Sequence, residues 1–329
     1  MKKRALITGI TGQDGSYLAK VLLENGYKVY GFVRRSSERS FWRIKDVLDY
    51  IEIVFGDMCD EASLRRAIEQ VNPDEIYNLA AQSFVKDSFY QPYTTSDING
   101  VGIVRIFEIV KNFNKKIKTY QASSSEMYGD IGDCITEETP LSPVSPYGIS
   151  KAYAHYMANY YRTAYDMFIC CGILFNHESP YRGEEFVTRK IANRVVQLKM
   201  GKIKKIRLGN IFARRDWGYA KDYVYAMWLM MQCPKPEDYV IATGESHSVL
   251  DFVNEALKYV GINSSEGLIE SDAELTRPTD IDCLIGDSTQ ANALLKWKAV
   301  VEFKQLVGIM VQAECDREGF LNDKTNSKE

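Results

Sequence analysis

Along the first 175 residues, short apolar runs alternate with longer stretches in which apolar positions recur every three or four residues. Ala5-Leu6-Ile7 leads into such a stretch over residues 16–25, and Val29-Tyr30-Gly31-Phe32-Val33 follows it. Two runs of strand length flanking one of helix length predict β-α-β. The same rhythm predicts strands at 51–55, 75–79 and 118–123 and helices at 62–70 and 95–111. A long helix is expected from Pro146 towards Tyr165, then a buried strand over 167–175. Strands separated by helices imply an α/β fold with a doubly wound parallel sheet of Rossmann type. After that point the regularity fades, so a first unit is expected over 1–175, with a later segment able to add a strand to it. A smaller C-terminal α/β lobe is expected over 176–329, with helices at 187–200 and 249–259 and short strands at 239–243 and 281–286. Nothing repeats internally, and the tail after Leu321 reads as disordered.

Composition narrows the class. With 41 basic and 44 acidic residues the formal net charge is -3, so neither a nucleic-acid footprint nor a membrane-seeking surface is expected. No uncharged run approaches the length of a membrane span. Cys59, Cys134, Cys170, Cys171, Cys233, Cys283 and Cys315 include no CxxC pair, and the only histidines are His155, His177 and His247. No metal site is expected from such spacing. Met1-Lys2-Lys3-Arg4 runs straight into the first strand rather than into a signal-like apolar segment, so a reducing cytoplasm is expected.

The first strand ends in Thr8-Gly9-Ile10-Thr11-Gly12-Gln13-Asp14-Gly15, which spaces glycines as GxxGxxG before a helix. In β-α-β that pattern suits a dinucleotide. The turn needs positive φ, the backbone must approach a pyrophosphate, and the helix N-terminus offers unpaired N–H groups to the anion. The plain alternative is a tight strand-to-helix turn. An NAD enzyme places a carboxylate at the end of the second strand for the ribose 2′-hydroxyl; here Arg34-Arg35-Ser36-Ser37 follows instead, and guanidiniums beside hydroxyls suit the 2′-phosphate of NADP. Asp57, after the third strand and before Met58, can bring a carboxylate to the adenine amino group.

Tyr147-Gly148-Ile149-Ser150-Lys151 opens the long helix, so Tyr147 and Lys151 share a face. A phenol is a poor base at neutral pH, and a nearby ammonium brings its pKa towards the working range. The fifth strand runs into Ser123-Ser124-Ser125-Glu126-Met127-Tyr128-Gly129 at the carboxyl edge of the sheet, where ligands of open α/β sheets bind. A hydroxyl such as Ser124 orients a sugar oxygen in any enzyme of this kind. A carboxylate such as Glu126 has a task only where a carbon-bound proton must be removed and water expelled; otherwise it is a capping or solvated glutamate.

With these residues assembled, the chain resembles the GDP-mannose 4,6-dehydratase family from Lys3 to about Trp297. The likeness rests on residues 8–18, Asn78-Leu79-Ala80-Ala81-Gln82-Ser83, Ser125-Glu126-Met127-Tyr128-Gly129, Phe175-Asn176-His177-Glu178-Ser179-Pro180, Arg182-Gly183-Glu184, Phe186-Val187-Thr188-Arg189-Lys190, Arg215-Asp216-Trp217-Gly218 and Ala220-Lys221-Asp222-Tyr223. It implies a lyase that uses NADP as an internal hydride carrier, with Ser124, Glu126, Tyr147 and Lys151 catalytic. It further implies cofactor contacts from Gly9, Thr11, Gly12, Gln13, Asp14, Gly15, Arg34, Asp57, Met58, Leu79, Ala80, Ala81, Ser83, Tyr147, Lys151, His177 and Arg182. A GDP-linked sugar would meet Ser83, Ser124, Glu126, Asn176, Val187, Lys190, Arg215 and Arg277, mainly in the second lobe. A homodimer or homotetramer is implied as well. Ser124 stands where the family has threonine, and the 36–45 loop, with Phe41 and Trp42, is shorter. Ile211-Phe212-Ala213-Arg214, Tyr219 and Lys296 also depart from its pattern. A related GDP-sugar such as a GDP-manno-heptose, a 4-epimerase or 4-reductase, and a non-catalytic NADP-sensing protein are the other readings.

Overall fold

The computed structural model describes residues 2–36, 40–272, 275 and 278–320. Among the described residues, seven strands form one all-parallel sheet. They are β1 (Arg4–Thr8), β2 (Lys28–Val33), β3 (Ile51–Phe55), β4 (Glu75–Asn78), β5 (Lys118–Ser124), β6 (Ile169–Leu174) and, after four short strands elsewhere, β11 (Asp238–Ile241). The order across the sheet is β11-β6-β5-β4-β1-β2-β3. It reverses between β1 and β4, where the chain crosses from one face of the sheet to the other.

The crossovers follow the sequence pattern closely: α1 (Gln13–Glu24), α2 (Glu61–Val71), α5 (Gly102–Phe113) and α6 (Pro146–Tyr165), with the short α3 (Val85–Tyr90) and α4 (Pro92–Ser96) between α2 and α5. The single helix expected over 95–111 is instead α4, a π-turn over Asp97–Val101 and α5. The π-turn directs Asn99 inward, where its amide binds the carbonyl of Gln82 (2.9 Å) and Ser150 Oγ (3.2 Å). A 3-10 helix, Trp42–Tyr50, connects β2 to β3.

The second lobe carries β7 (Asn176–Glu178), α7 (Val187–Lys199), β8 (Ile206–Leu208), β9 (Arg214–Arg215), β10 (Trp217–Tyr219), β12 (His247–Ser248), α9 (Val249–Tyr259), β13 (Ile269–Ser271), β14 (Cys283–Leu284) and α11 (Phe303–Glu318). Its core packs Val195, Phe252, Leu257, Leu306 and Met310 around Trp217. Between these pieces the chain returns to the first unit. α8 (Ala220–Gln232) lays Tyr223, Met227 and Met230 in the same core as Tyr17, Leu18 and Leu22 of α1, and α10 (Thr289–Leu295) adds Ala291 and Leu295. The boundary at 175 therefore marks where the chain leaves the sheet, and 220–241 is where it comes back. No helix among the described residues is long and apolar enough to cross a membrane. The expected disordered tail after Leu321 lies outside the described residues.

Candidate active site

A cleft of about 670 Å³ runs along the carboxyl ends of β1, β4 and β5. Its floor is the glycine turn. Gly9 has φ +71°, and a Cβ there would lie 2.8 Å from Ala80 N. A Cβ on Gly15 would lie 2.4 Å from the carbonyl oxygen of Gly9, so only glycine lets the first turn of α1 close onto the loop before it. Gly12 caps α1 with no side-chain hydrogen bond, so the N-terminal end of the helix is open to an anion such as a pyrophosphate, with Asp14 in its first turn engaged by His177. Thr8 Oγ1 accepts from Leu79 N and Ala80 N (both 3.1 Å), which holds the 79–83 loop against that turn.

Thr11, Gln13, Asp14, Arg34, Asp57, Met58, Ala81 and Ser83 line the cleft with the glycines. Arg34 also lines a smaller hollow of about 260 Å³ with Gly56, Asp57, Asp60, Ser63, Arg66 and Arg35, which is not part of the main cleft. The Arg35 guanidinium lies 4.9 Å above the Phe55 ring. Ser36 is exposed beside them and lines neither cavity.

Ser145 and Pro146 start α6: the serine hydroxyl accepts from Gly148 N at 3.0 Å, and proline occupies the first turn, where its missing N–H costs nothing. A Cβ on Gly148 would stand 2.4 Å from the Glu126 carbonyl oxygen, so a glycine there lets this helix end press on the 3-10 turn Ser125–Met127. Ser124 Oγ caps that turn, accepting from Glu126 N at 3.3 Å. The result puts Ser124, Glu126, Tyr147 and Lys151 on one cleft wall. Glu126 is 8 % exposed.

Burial pushes the Tyr147 phenol up to about 12, against a hydrogen bond with Ser124 and the charge of Arg182, which lower it; Glu126 adds to the rise. Burial pushes the Lys151 ammonium down to about 8, opposed by Asp14. Lys151 Nζ donates to the Ala122 carbonyl at 2.8 Å and lies 5.8 Å from the Tyr147 ring centroid. The Asn99–Ser150 bond ties α6 to the 79–83 loop, so the tyrosine helix and the glycine turn are held in one frame.

Asn176, His177 and Arg182 line the same cleft. His177 binds Asp14 through Nε2 (2.8 Å) and the Phe175 carbonyl through Nδ1 (2.7 Å), and stacks on Tyr223 at 4.6 Å. Burial opposes its protonation, yet Asp14 outweighs that and raises it; burial likewise opposes the Asp14 carboxylate, which His177, Gln13 and Arg182 hold low.

Val187, Lys190 and Arg215 do not line this cleft. Burial, Arg194 and Lys86 push the Lys190 ammonium below the ordinary lysine range. Arg215 is buried and donates to the Arg214 and Ile281 carbonyls, with Asp280 at 3.2 Å. Arg277 lies outside the described residues. Phe186, which opens one of the family-like motifs, and Arg43, which no motif contains, do line the cleft; Arg43 donates to the carbonyls of Tyr181 (2.8 Å) and Thr11 (3.3 Å). No motif marked it, since it belongs to an irregular 3-10 segment. His155, Cys171 and Asp238 bring ligand atoms within 4.8 Å of one another, but the Arg162 guanidinium already pairs with Asp238 and lies 3.9 Å from the Cys171 sulfur.

A glycine turn under a doubly wound sheet, with a serine at the end of the fifth strand and a tyrosine-lysine pair on the helix α6, defines the short-chain dehydrogenase class. The comparisons narrow it. A family model described as GDP-mannose 4,6 dehydratase matches residues 6–310. The chain is 47 % identical to GDP-mannose 4,6 dehydratase 1 of Arabidopsis thaliana, covering 96 % of this chain and 90 % of that one. It is also 47 % identical to the Homo sapiens GDP-mannose 4,6 dehydratase, over 95 % and 91 %. Among solved structures, the dTDP-glucose 4,6-dehydratase from Bacillus anthracis in complex with NAD aligns with TM-score 0.84 and 25 % identity, covering 96 % of this chain and 98 % of that one. The chain belongs to the GDP-mannose 4,6-dehydratase family.

Proposed function

We propose that this enzyme is an NADP-dependent lyase that converts GDP-mannose to GDP-4-keto-6-deoxymannose. When bound, the nicotinamide takes up a hydride from C4 of the sugar and gives it back at C6. Tyr147 receives the O4 proton as that hydride leaves, Ser124 hydrogen-bonds the same oxygen, and Lys151 favours the phenolate by its charge. The resulting 4-ketone acidifies C5–H. Glu126 removes that proton and passes it to the C6 hydroxyl, which leaves as water; C5 is reprotonated at the end, and the proton that Tyr147 took from O4 makes up the balance.

The observation that carries this reading is a carboxylate, Glu126, that lines the cleft together with Ser124, Tyr147 and Lys151. An epimerase or reductase on this scaffold would leave it without a task. Single turnover of Glu126→Gln tests it: cofactor reduction is expected to persist while water loss falls by roughly 10²–10⁴-fold. Formation of 6-deoxy product at near-parent rate would overturn the assignment.

The preference for NADP is supported by Arg34 and Arg35 at the smaller hollow, where two guanidiniums suit a 2′-phosphate. Asn176, Val187, Lys190, Arg215 and Arg277 are the proposed GDP-sugar contacts, with residues 176–329 supplying most of that lobe. Self-association into a homodimer or larger oligomer is supported by Ile149, Tyr153, Tyr156 and Tyr160, an exposed stripe on one face of α6. Light scattering is expected to give a multiple of the chain mass, and Tyr156→Glu to lower it. The free cysteines suit a reducing cytoplasm.

A further inference from the structure

Glu178 ends β7 two residues past Asn176, is 1 % exposed, and has no part in the chemistry above. A carboxylate taken so far from water is costly unless the chain uses its charge. Its Oε2 accepts from Thr188 Oγ1 at 2.6 Å and lies 3.0 Å from Arg182 Nε. That second contact is an ion pair without hydrogen-bond alignment, since the buried Nε–H does not point along it. Arg182 is held elsewhere too: its guanidinium carbon lies 3.6 Å from the Phe186 ring centroid, and its carbonyl accepts from Arg189 Nη1 at 2.6 Å. Arg189 is in turn fixed by Glu314 at 3.0 Å and Glu184 at 2.9 Å.

Arg182 is therefore gripped through its side chain by Glu178 and Phe186 and through its backbone by Arg189, while it lines the cleft that also holds Tyr147. A guanidinium left loose on a long stem would lose most of its value in binding an anion, because each rotamer it visits must be given up on binding. We propose that Glu178 is a positioning residue, which orients the Arg182 guanidinium towards the dinucleotide through their side-on ion pair, with Thr188 fixing the carboxylate from behind. The inference rests on the dinucleotide reading of the cleft and not on which sugar reacts.

Glu178→Gln keeps the volume and an oxygen for Thr188 but removes the charge that holds Arg182. NADPH binding, followed by fluorescence without any sugar, is expected to weaken about tenfold, the equivalent of one charge-assisted hydrogen bond. Arg182→Ala should weaken it at least as much, and the double variant no more than Arg182→Ala alone. In turnover, the KM for NADP should rise with little change in the KM for the sugar. Additive losses in the double variant, or an unchanged NADPH affinity in a folded Glu178→Gln protein, would overturn the proposal. If Glu178→Gln does not fold, Thr188→Val gives the same test at smaller amplitude, about threefold, and no change there would overturn it equally. Failure of the parent to bind NADPH at all would instead sink the dinucleotide reading.

Discussion

Lys151→Met is expected to abolish turnover and yet make the folded protein more stable at neutral pH. Burial holds this ammonium down to about 8 from an ordinary value of 10.5, and each unit of that gap is worth about 1.4 kcal/mol. The native state thus carries a penalty of about 3 kcal/mol for keeping the lysine charged. Methionine has similar length and no charge to desolvate, but it gives up the bond from Nζ to the Ala122 carbonyl (2.8 Å), worth about 1 kcal/mol. That carbonyl also accepts from Gln121 Nε2 at 3.0 Å, so it is not left bare. The net gain is about 2 kcal/mol, or roughly 4 °C in melting temperature.

The pH dependence has a definite sign. Between about pH 8 and 10.5 the unfolded parent still holds a proton that the folded parent has released, so the parent gains stability as pH rises through that window. The methionine variant has no such gain. Its advantage should be complete below pH 8, shrink above it and turn into a deficit of about 1 kcal/mol, the lost bond to Ala122, by about pH 10.5. Thermal melts of both proteins by circular dichroism, repeated across this range, measure the difference. A variant that melts below the parent at neutral pH, or a difference independent of pH, would refute the reasoning.

Gly15→Ala places a methyl 2.4 Å from the Gly9 carbonyl oxygen; prising helix and turn apart should cost roughly 1–3 kcal/mol of stability and weaken NADPH binding well over tenfold, checked by melting and by fluorescence titration. Arg34→Ala with Arg35→Ala should raise the KM for NADP by roughly tenfold or more, one charge-assisted bond per phosphate contact, and leave the KM for NAD nearly unchanged. A parallel loss for both cofactors would mean that these arginines do not read the 2′-phosphate.

The parts of the fold that the sequence made legible are those whose pattern is local. Pro146 marked where α6 begins, and the glycine turn marked the junction of β1 and α1. α8 was not read as a helix: seven of its thirteen residues are buried, with apolar residues all round, so its pattern has no polar face to mark its limits. The π-turn at Asp97–Val101 leaves no trace in periodicity, because it changes the winding of the backbone and not the order of apolar positions. At the site, Tyr147, Lys151, Ser124 and Glu126 could be named because two short motifs contain them. The grip of Glu178 on Arg182 could not, since it joins a strand to a loop four residues later in a geometry set by the Phe186 and Arg189 packing.

The return of β11 to the edge of the sheet means that the polypeptide is interlaced. Strand β6 finds its outer partner more than sixty residues downstream, after much of the other lobe has been traversed. Neither lobe can be excised as a gene fragment: a product stopped at residue 175 would offer β6 as a bare, apolar edge to its neighbours and lack the α8 cover on α1. The two lobes must mature together, and on the ribosome the larger sheet stays unfinished until the chain has passed residue 241.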